Sequence, residues 1–96
     1  MPDKDETTRA HVVVHGRVQG VWFRGTVCEQ ARSAGVTGWV KNRWDGAVEA
    51  VFEGPRKQVS RVVAWCHRGP RLAQVESVDL EWQKATGEFA GFSVAR

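Results

Sequence analysis

The residues best suited to chemistry lie in one short run, GRVQGVWFR, from Gly16 to Arg24. A β-branched stretch, HVVVH, precedes this run, and a segment with apolar residues at helical spacing follows it. A glycine-bearing turn between a strand and a helix lets backbone N–H groups converge at the positive end of the helix dipole. An arginine in the first helical turn adds a planar fork of donors. The run therefore predicts a small anion site, and phosphate is the anion that fits it.

Each of these residues also has an ordinary explanation. Any strand-to-helix turn uses glycines such as Gly16 and Gly20, so an isolated G-x-x-x-G pattern is a weak signal. An arginine on a first helical turn is most often a solvated charge. A cation is nevertheless unfavourable at the positive end of a helix unless an anion is there. That placement favours the binding interpretation of Arg24.

A second candidate, Asn42, ends the next predicted strand, just before the turn formed by residues 43–46. Asparagine often ends strands and starts turns, so its position also has an ordinary explanation. Its carboxamide can both donate and accept hydrogen bonds, which would suit the positioning of a water molecule. Spacing along the chain does not place Asn42 beside Arg24, because the strands that lead to them are not neighbours in the predicted topology.

The elements that position these residues follow from hydrophobic periodicity. Strands are predicted over 9–15, 36–42, 46–53 and 75–83, with a short final strand within 89–95. One helix is predicted over 22–34, and a second begins near Pro55 and ends before Gly69. In the third strand, alternation turns Val48, Ala50 and Phe52 inward and Ala47, Glu49, Val51 and Glu53 outward. The order βαββαβ predicts an α+β, ferredoxin-like sandwich with an antiparallel sheet and both helices on one face.

Length and composition indicate one small globular domain. The chain has 96 residues, of which 42% are hydrophobic and 26% charged, and a formal charge of +3. Residues 1–8 are polar and predict a flexible N-terminal tail, with the domain over 9–96. No apolar segment is long enough to span a bilayer or to act as a signal peptide, and Cys28 and Cys66 form no disulfide framework. We therefore expect a cytoplasmic protein with reduced thiols, and a disulfide is the less favoured alternative.

The run from Gly16 to Arg24, followed by GWVKN at 38–42 and DGAVE at 45–49, closely resembles the acylphosphatases. The likeness continues through the EGP of residues 53–55, Gly69-Pro70 and the C-terminal FAGFSVAR, so it covers the chain from about Ala10 onward. Trp22 and Gly25 fill positions that vary in the family pattern.

The resemblance implies a ferredoxin-like fold and hydrolysis of the carboxyl–phosphate bond of acyl phosphates to a carboxylate and inorganic phosphate. It implies that Arg24 binds the phosphate and that Asn42 positions the attacking water. The phosphate cradle would be formed by the backbone amides of Arg17, Val18, Gln19, Gly20 and Val21. We expect no metal and no cofactor, because an acyl phosphate already carries a good leaving group and the amides and guanidinium can neutralise its phosphoryl group.

The expected ligands are a small-molecule acyl phosphate and its product, inorganic phosphate. We expect the protein to be a monomer and to bind neither nucleic acid nor a membrane. One alternative is an RNA-binding module of the RRM type, which shares this topology. RRM domains carry aromatic residues on the third strand, whereas the outward positions predicted here include Glu49 and Glu53, which would repel a phosphate backbone. The other alternative is a non-catalytic accessory domain. With Arg96 following the last predicted strand directly, a freestanding enzyme is the favoured expectation.

Overall fold

The computed structural model describes residues 6–95, which form five strands and two helices. The elements are β1 (Thr7–Arg17), α1 (Phe23–Ser33), β2 (Thr37–Asn42), β3 (Val48–Pro55), α2 (Arg56–Cys66), β4 (Gln74–Lys84) and β5 (Phe92–Val94). Within these residues, no helix has both the length and the apolar character that a membrane crossing requires.

The five strands form one sheet in the order β4-β1-β3-β2-β5, with α1 and α2 packed against it. The predicted ferredoxin-like fold is confirmed. The sheet is mixed, however, rather than purely antiparallel. The segment after β4 carries the chain to the opposite edge of the sheet, where β5 pairs in parallel with β2 through Gly38↔Phe92 and Val40↔Val94. The other strand pairs are antiparallel.

The core lies between the sheet and the two helices and is formed by the apolar face of each. Strands contribute alternate residues from β1 and β3, and each helix contributes a stripe at i, i+3, i+4 spacing. The buried helical residues include Phe23, Val27, Ala31, Val59, Val62, Val63 and Cys66. Phe52 stacks on Phe92 of β5 with ring centroids 5.5 Å apart. Each fully buried Val or Phe stabilises the fold by about 1.5–3 kcal/mol, so this face holds the helices in place.

The outer face of β3 differs from the prediction. Ala47, Val51 and Glu53 do lie on the face away from the helices, but they are buried, and Glu49 is half-buried. The cause is the central position of β3: side chains of β1 and β2 flank it on both sides, and the segment between β4 and β5 covers its end. A strand between two neighbours is shielded even on its outer face, which alternation alone does not reveal.

The first strand is longer than predicted at both ends. It begins at Thr7, inside the segment predicted as a tail, because Thr7 and Thr8 pair with Pro55 and Gly54 of β3. Backbone pairing of this kind needs no apolar side chain, so hydropathy gave no sign of it. At the other end β1 continues to Arg17. Residues 1–5 of the predicted tail lie outside the described residues.

Candidate active site

Close to the end of β1, a β-bulge separates Gly16 from His15. Gly16 has φ +127°, and a Cβ at this position would collide with the carbonyl oxygen of Gln74 in β4. Only glycine lets the two backbones approach so closely. Pairing with β4 continues beyond the bulge to Arg17, and the loop that follows turns at Gly20, with φ +73°, before it enters α1.

The loop and the start of α1 present a series of free backbone donors. Within the described residues, no N–H from position 18 to position 25 donates a hydrogen bond to a protein acceptor. The last three of these belong to the first turn of α1, where the helix itself provides no acceptor. That turn contains no acidic residue, and the loop is anchored by the side chain of Val18, which is buried in the core. The positive end of α1 is thus open to an anion.

Arg24 and Asn42 line the same cavity, which has a volume of about 390 Å³. The remaining lining residues come from the loop, the first turn of α1 and β5: Val18, Gly20, Trp22, Phe23, Gly25 and Val94. The Arg24 side chain is exposed and Asn42 is half-buried. Neither side chain forms an ion pair or hydrogen bond with another of residues 6–95. Both are therefore available to a ligand in the cavity.

The register of the sheet explains why two residues far apart in sequence meet. Asn42 at the end of β2 lies opposite Val48 of β3, and Val48 in turn lies opposite Val14 of β1. Because β1 and β2 are both antiparallel to β3, they run in the same direction, and their C-terminal ends lie at the same end of the sheet. The loop that follows β1 and the carboxamide that ends β2 consequently emerge side by side.

The other predicted loop residues take different positions. Arg17 still belongs to β1, where it pairs with Gln74, and its side chain is exposed. Val21 packs against the core. Neither is among the residues that line the cavity, whereas Val18 and Gly20 are. Any contact of Arg17 and Val21 with a phosphate would be made by their backbone N–H groups rather than by their side chains.

Gln19 has a structural contact that sequence reasoning missed. Its Nε2 donates to the carbonyl oxygens of Arg43 and Ala47, at 2.7 and 2.8 Å, in the hairpin between β2 and β3. The bonds tie the loop after β1 to the hairpin that follows Asn42. The signal in the sequence is a long amide side chain between Gly16 and Gly20, and it does not indicate which residues the amide contacts.

The same hairpin is braced from within by Asp45. Its carboxylate accepts a hydrogen bond from the N–H of Ala47 at 3.1 Å and pairs with Arg43 at 3.1 Å. The Ala47 hydrogen bond, aided by the charge of Arg43, lowers the pKa of Asp45 below its ordinary value. Asp45 is therefore ionised at neutral pH and holds the turn next to the site. Among residues 6–95, no group of three or more His, Cys, Asp or Glu is placed to hold a metal ion.

The model of one protein family, acylphosphatase, matches residues 10–94. The chain belongs to the acylphosphatase family. An acylphosphatase from Pelotomaculum thermopropionicum is 58% identical over 87 residues, which cover 91% of this chain and 95% of that protein. An acylphosphatase from Roseiflexus is 55% identical over 89 residues, or 93% and 96% of the two chains. The crystal structure of acylphosphatase from Bacillus subtilis superposes with a TM-score of 0.89 at 32% identity, over 93% of this chain and 99% of that one.

The family predicted from the motifs is confirmed over nearly the whole described chain. One position in this acylphosphatase has unusual geometry next to the cavity. Trp22, which precedes α1, adopts φ +65°, the left-handed conformation that non-glycine residues rarely take, and the residue is 75% exposed. The sequence predicted the helix to start at this residue. It starts instead at Phe23, because Trp22 has left the helical region.

Proposed function

We propose that this acylphosphatase holds the phosphoryl group of an acyl phosphate between the free N–H groups of the loop after β1 and the guanidinium of Arg24. Asn42 orients the attacking water. One observation supports the proposal above all others: N–H groups, a guanidinium and a carboxamide that have no partner among residues 6–95 surround one cavity.

The chemistry follows from the charges. Transfer of a phosphoryl group is catalysed mainly by positioning and by stabilising charge on its equatorial oxygens. The N–H groups and Arg24 supply that stabilisation, and a single preorganised donor of this kind is worth about 3–4 kcal/mol in the transition state. The water oxygen forms a bond to phosphorus as the bond to the acyl oxygen breaks, which releases a carboxylate and inorganic phosphate. The water proton passes to a phosphoryl oxygen of the substrate itself.

This mechanism requires no general acid, because a carboxylate is already a good leaving group. It also includes no step that depends on a metal, since the amides and the guanidinium supply the positive potential. The decisive test is the hydrolysis of benzoyl phosphate, followed by ultraviolet absorbance in the presence of EDTA. Activity that survives chelation and is inhibited competitively by inorganic phosphate supports the proposal, whereas activity abolished by EDTA contradicts the metal-free part.

We further propose that the protein acts as a cytoplasmic monomer on a small-molecule substrate. A cavity of about 390 Å³ is of the size that small ligands occupy. Cys28 and Cys66 are both buried free thiols, which suits a reducing compartment. Size-exclusion chromatography with light scattering tests the oligomeric state, and a dimer mass at micromolar concentration would contradict it.

The alternatives gain no support. The outer face of β3, where an RRM module carries aromatic residues, has Ala47, Glu49, Val51 and Glu53 here, three of them buried. Relatives at 58% and 55% identity that are themselves acylphosphatases favour a catalytic domain over a non-catalytic accessory one.

A further inference from the structure

The indole ring of Trp22 lies over Gly25, one turn into α1. A Cβ built on Gly25 would lie 2.8 Å from Cε2 and 3.0 Å from Nε1 of the ring. The ring therefore occupies the space that a side chain at position 25 would need. Since Trp22 is still 75% exposed, a large part of the ring surface remains uncovered.

The backbone of Trp22 is fixed as well as its ring. Its carbonyl oxygen accepts hydrogen bonds from the N–H of Thr26 at 3.2 Å and from the Thr26 hydroxyl at 2.8 Å. These bonds hold the left-handed residue at the start of the helix. The indole N–H donates to no acceptor within the described chain. An exposed aromatic ring with a fixed backbone and a free donor is preorganised to contact a ligand.

The ring lies on the wall of the same cavity as Arg24 and Asn42. Val94 of β5, which is 45% exposed, adds apolar surface to that wall, while Val18 and Phe23 lie buried behind it. A substrate whose phosphoryl group contacts the loop amides and Arg24 must place its acyl group elsewhere in the cavity. The exposed apolar side chains there are those of Trp22 and Val94.

We propose that Trp22 contacts the acyl group and selects planar, apolar acyl phosphates, such as aryl compounds, over acetyl phosphate. The inference rests on the proposed function, because it assigns the part of the cavity that the phosphoryl group leaves free. An aryl group can stack on the exposed indole, while a methyl group contacts little of it. Gly25 takes part by leaving room for the ring.

The test compares kcat/KM for benzoyl phosphate with kcat/KM for acetyl phosphate in the wild type and in Trp22→Ala. We expect the ratio of the two values to fall about tenfold in the variant, mainly through a higher KM for benzoyl phosphate. Trp44→Ala is the matched control. Trp44 is 95% exposed at the tip of the hairpin and does not line this cavity, so its removal should leave the ratio unchanged.

Gly25→Ala provides a second route that keeps the tryptophan. The new methyl group displaces the ring from its place over the helix, and alanine favours the helix more than glycine does. A lower ratio in a variant at least as stable as the wild type cannot result from unfolding. Trp22→Phe should restore part of the preference lost in Trp22→Ala.

The outcomes are distinct. A ratio within twofold of the wild-type ratio in Trp22→Ala overturns the proposal for Trp22, even if both activities fall equally. The proposed function still stands in that case, provided that the wild type hydrolyses acetyl phosphate. If Trp22→Ala does not fold, the same ratio in Gly25→Ala decides. A folded wild type that hydrolyses neither substrate contradicts the proposed function itself.

Discussion

Arg24 is a cation at the positive end of a helix, an unfavourable place unless an anion is bound there. No carboxylate among residues 6–95 pairs with its guanidinium, so the fold does not offset that cost internally. A bound phosphoryl group would offset that cost, because its negative charge lies next to the guanidinium. The planar fork of the guanidinium can also contact two phosphoryl oxygens at once. The charge and the geometry of this side chain therefore contribute separately.

Arg24→Lys separates the two contributions, because lysine keeps the charge and loses the fork. We expect kcat/KM for benzoyl phosphate to fall about 10²-fold or more and competitive inhibition by phosphate to weaken. Steady-state kinetics measure both. Arg61→Lys is the control, since Arg61 is exposed on α2, away from the cavity. A variant that keeps more than a tenth of wild-type activity would show that charge alone suffices.

Asn42 has a different expected signature, because it acts on the water rather than on the phosphate. In Asn42→Ala we expect kcat to fall by about 10²–10³, while the inhibition constant of inorganic phosphate stays within a factor of two. Circular dichroism establishes that the variant is folded. A large loss of phosphate affinity in the folded variant would assign Asn42 to phosphate binding instead.

At the scale of elements, the site depends on a loop and a hairpin that belong to different strands. Gln19 connects them through two hydrogen bonds, to the carbonyl oxygens of Arg43 and Ala47. Those bonds fix the distance between the loop amides and Asn42. Small displacements of reacting groups are costly in rate, so the connection matters for catalysis as well as for stability.

We expect Gln19→Ala to lower the free energy of unfolding by about 1–3 kcal/mol, the contribution of two such hydrogen bonds. We also expect kcat to fall at temperatures where the variant is fully folded, because Asn42 is no longer held at the loop. Urea denaturation and kinetics on the same samples measure the two effects. Gln58→Ala on α2, whose side chain makes no hydrogen bond within residues 6–95, is the control. A fall in stability with unchanged kcat would limit Gln19 to a structural role.

The elements themselves could be read from the sequence, whereas the contacts between them could not. Helical spacing identified the buried stripe of α2, and the glycine-containing turn identified the loop. The proximity of Arg24 and Asn42 depends on β3 lying between β1 and β2, which is a long-range pairing. The burial of Glu53 depends on a segment more than thirty residues away along the chain. Local periodicity contains no information about such partners.

At the scale of the whole molecule, Glu53 joins the sheet to the segment that leads into β5. This carboxylate is only 2% exposed and accepts hydrogen bonds from the N–H groups of Thr86 and Gly87 and from the Thr86 hydroxyl. The Nε atom of Arg9 in β1 lies 3.6 Å from Oε2 of this carboxylate. The segment continues into β5, whose Val94 lines the cavity. One buried carboxylate thus fixes the strand that closes one side of the site.

These contacts make stability depend on pH in a defined direction. Burial favours the neutral form and raises the pKa of Glu53, but the hydrogen bonds from Thr86 and Gly87 and the charge of Arg9 outweigh it, so the pKa is lowered from its ordinary 4.5. A group with a lowered pKa in the folded state stabilises the protein above its unfolded pKa and loses that contribution as pH falls through the folded value. The loss should begin near pH 4.5 and continue below it.

Glu53→Gln removes the charge but keeps the shape of the side chain. We expect it to lower the free energy of unfolding by about 1.5–3 kcal/mol near neutral pH, as for hydrogen bonds to a charged group. The difference from wild type should then shrink as pH falls below 4.5, because the wild-type carboxylate becomes protonated as well. Urea denaturation followed by tryptophan fluorescence measures it, with Glu76→Gln on the exposed side of β4 as the control. A difference that stays constant down to about pH 3 would mean that the charge of Glu53 does not cause it.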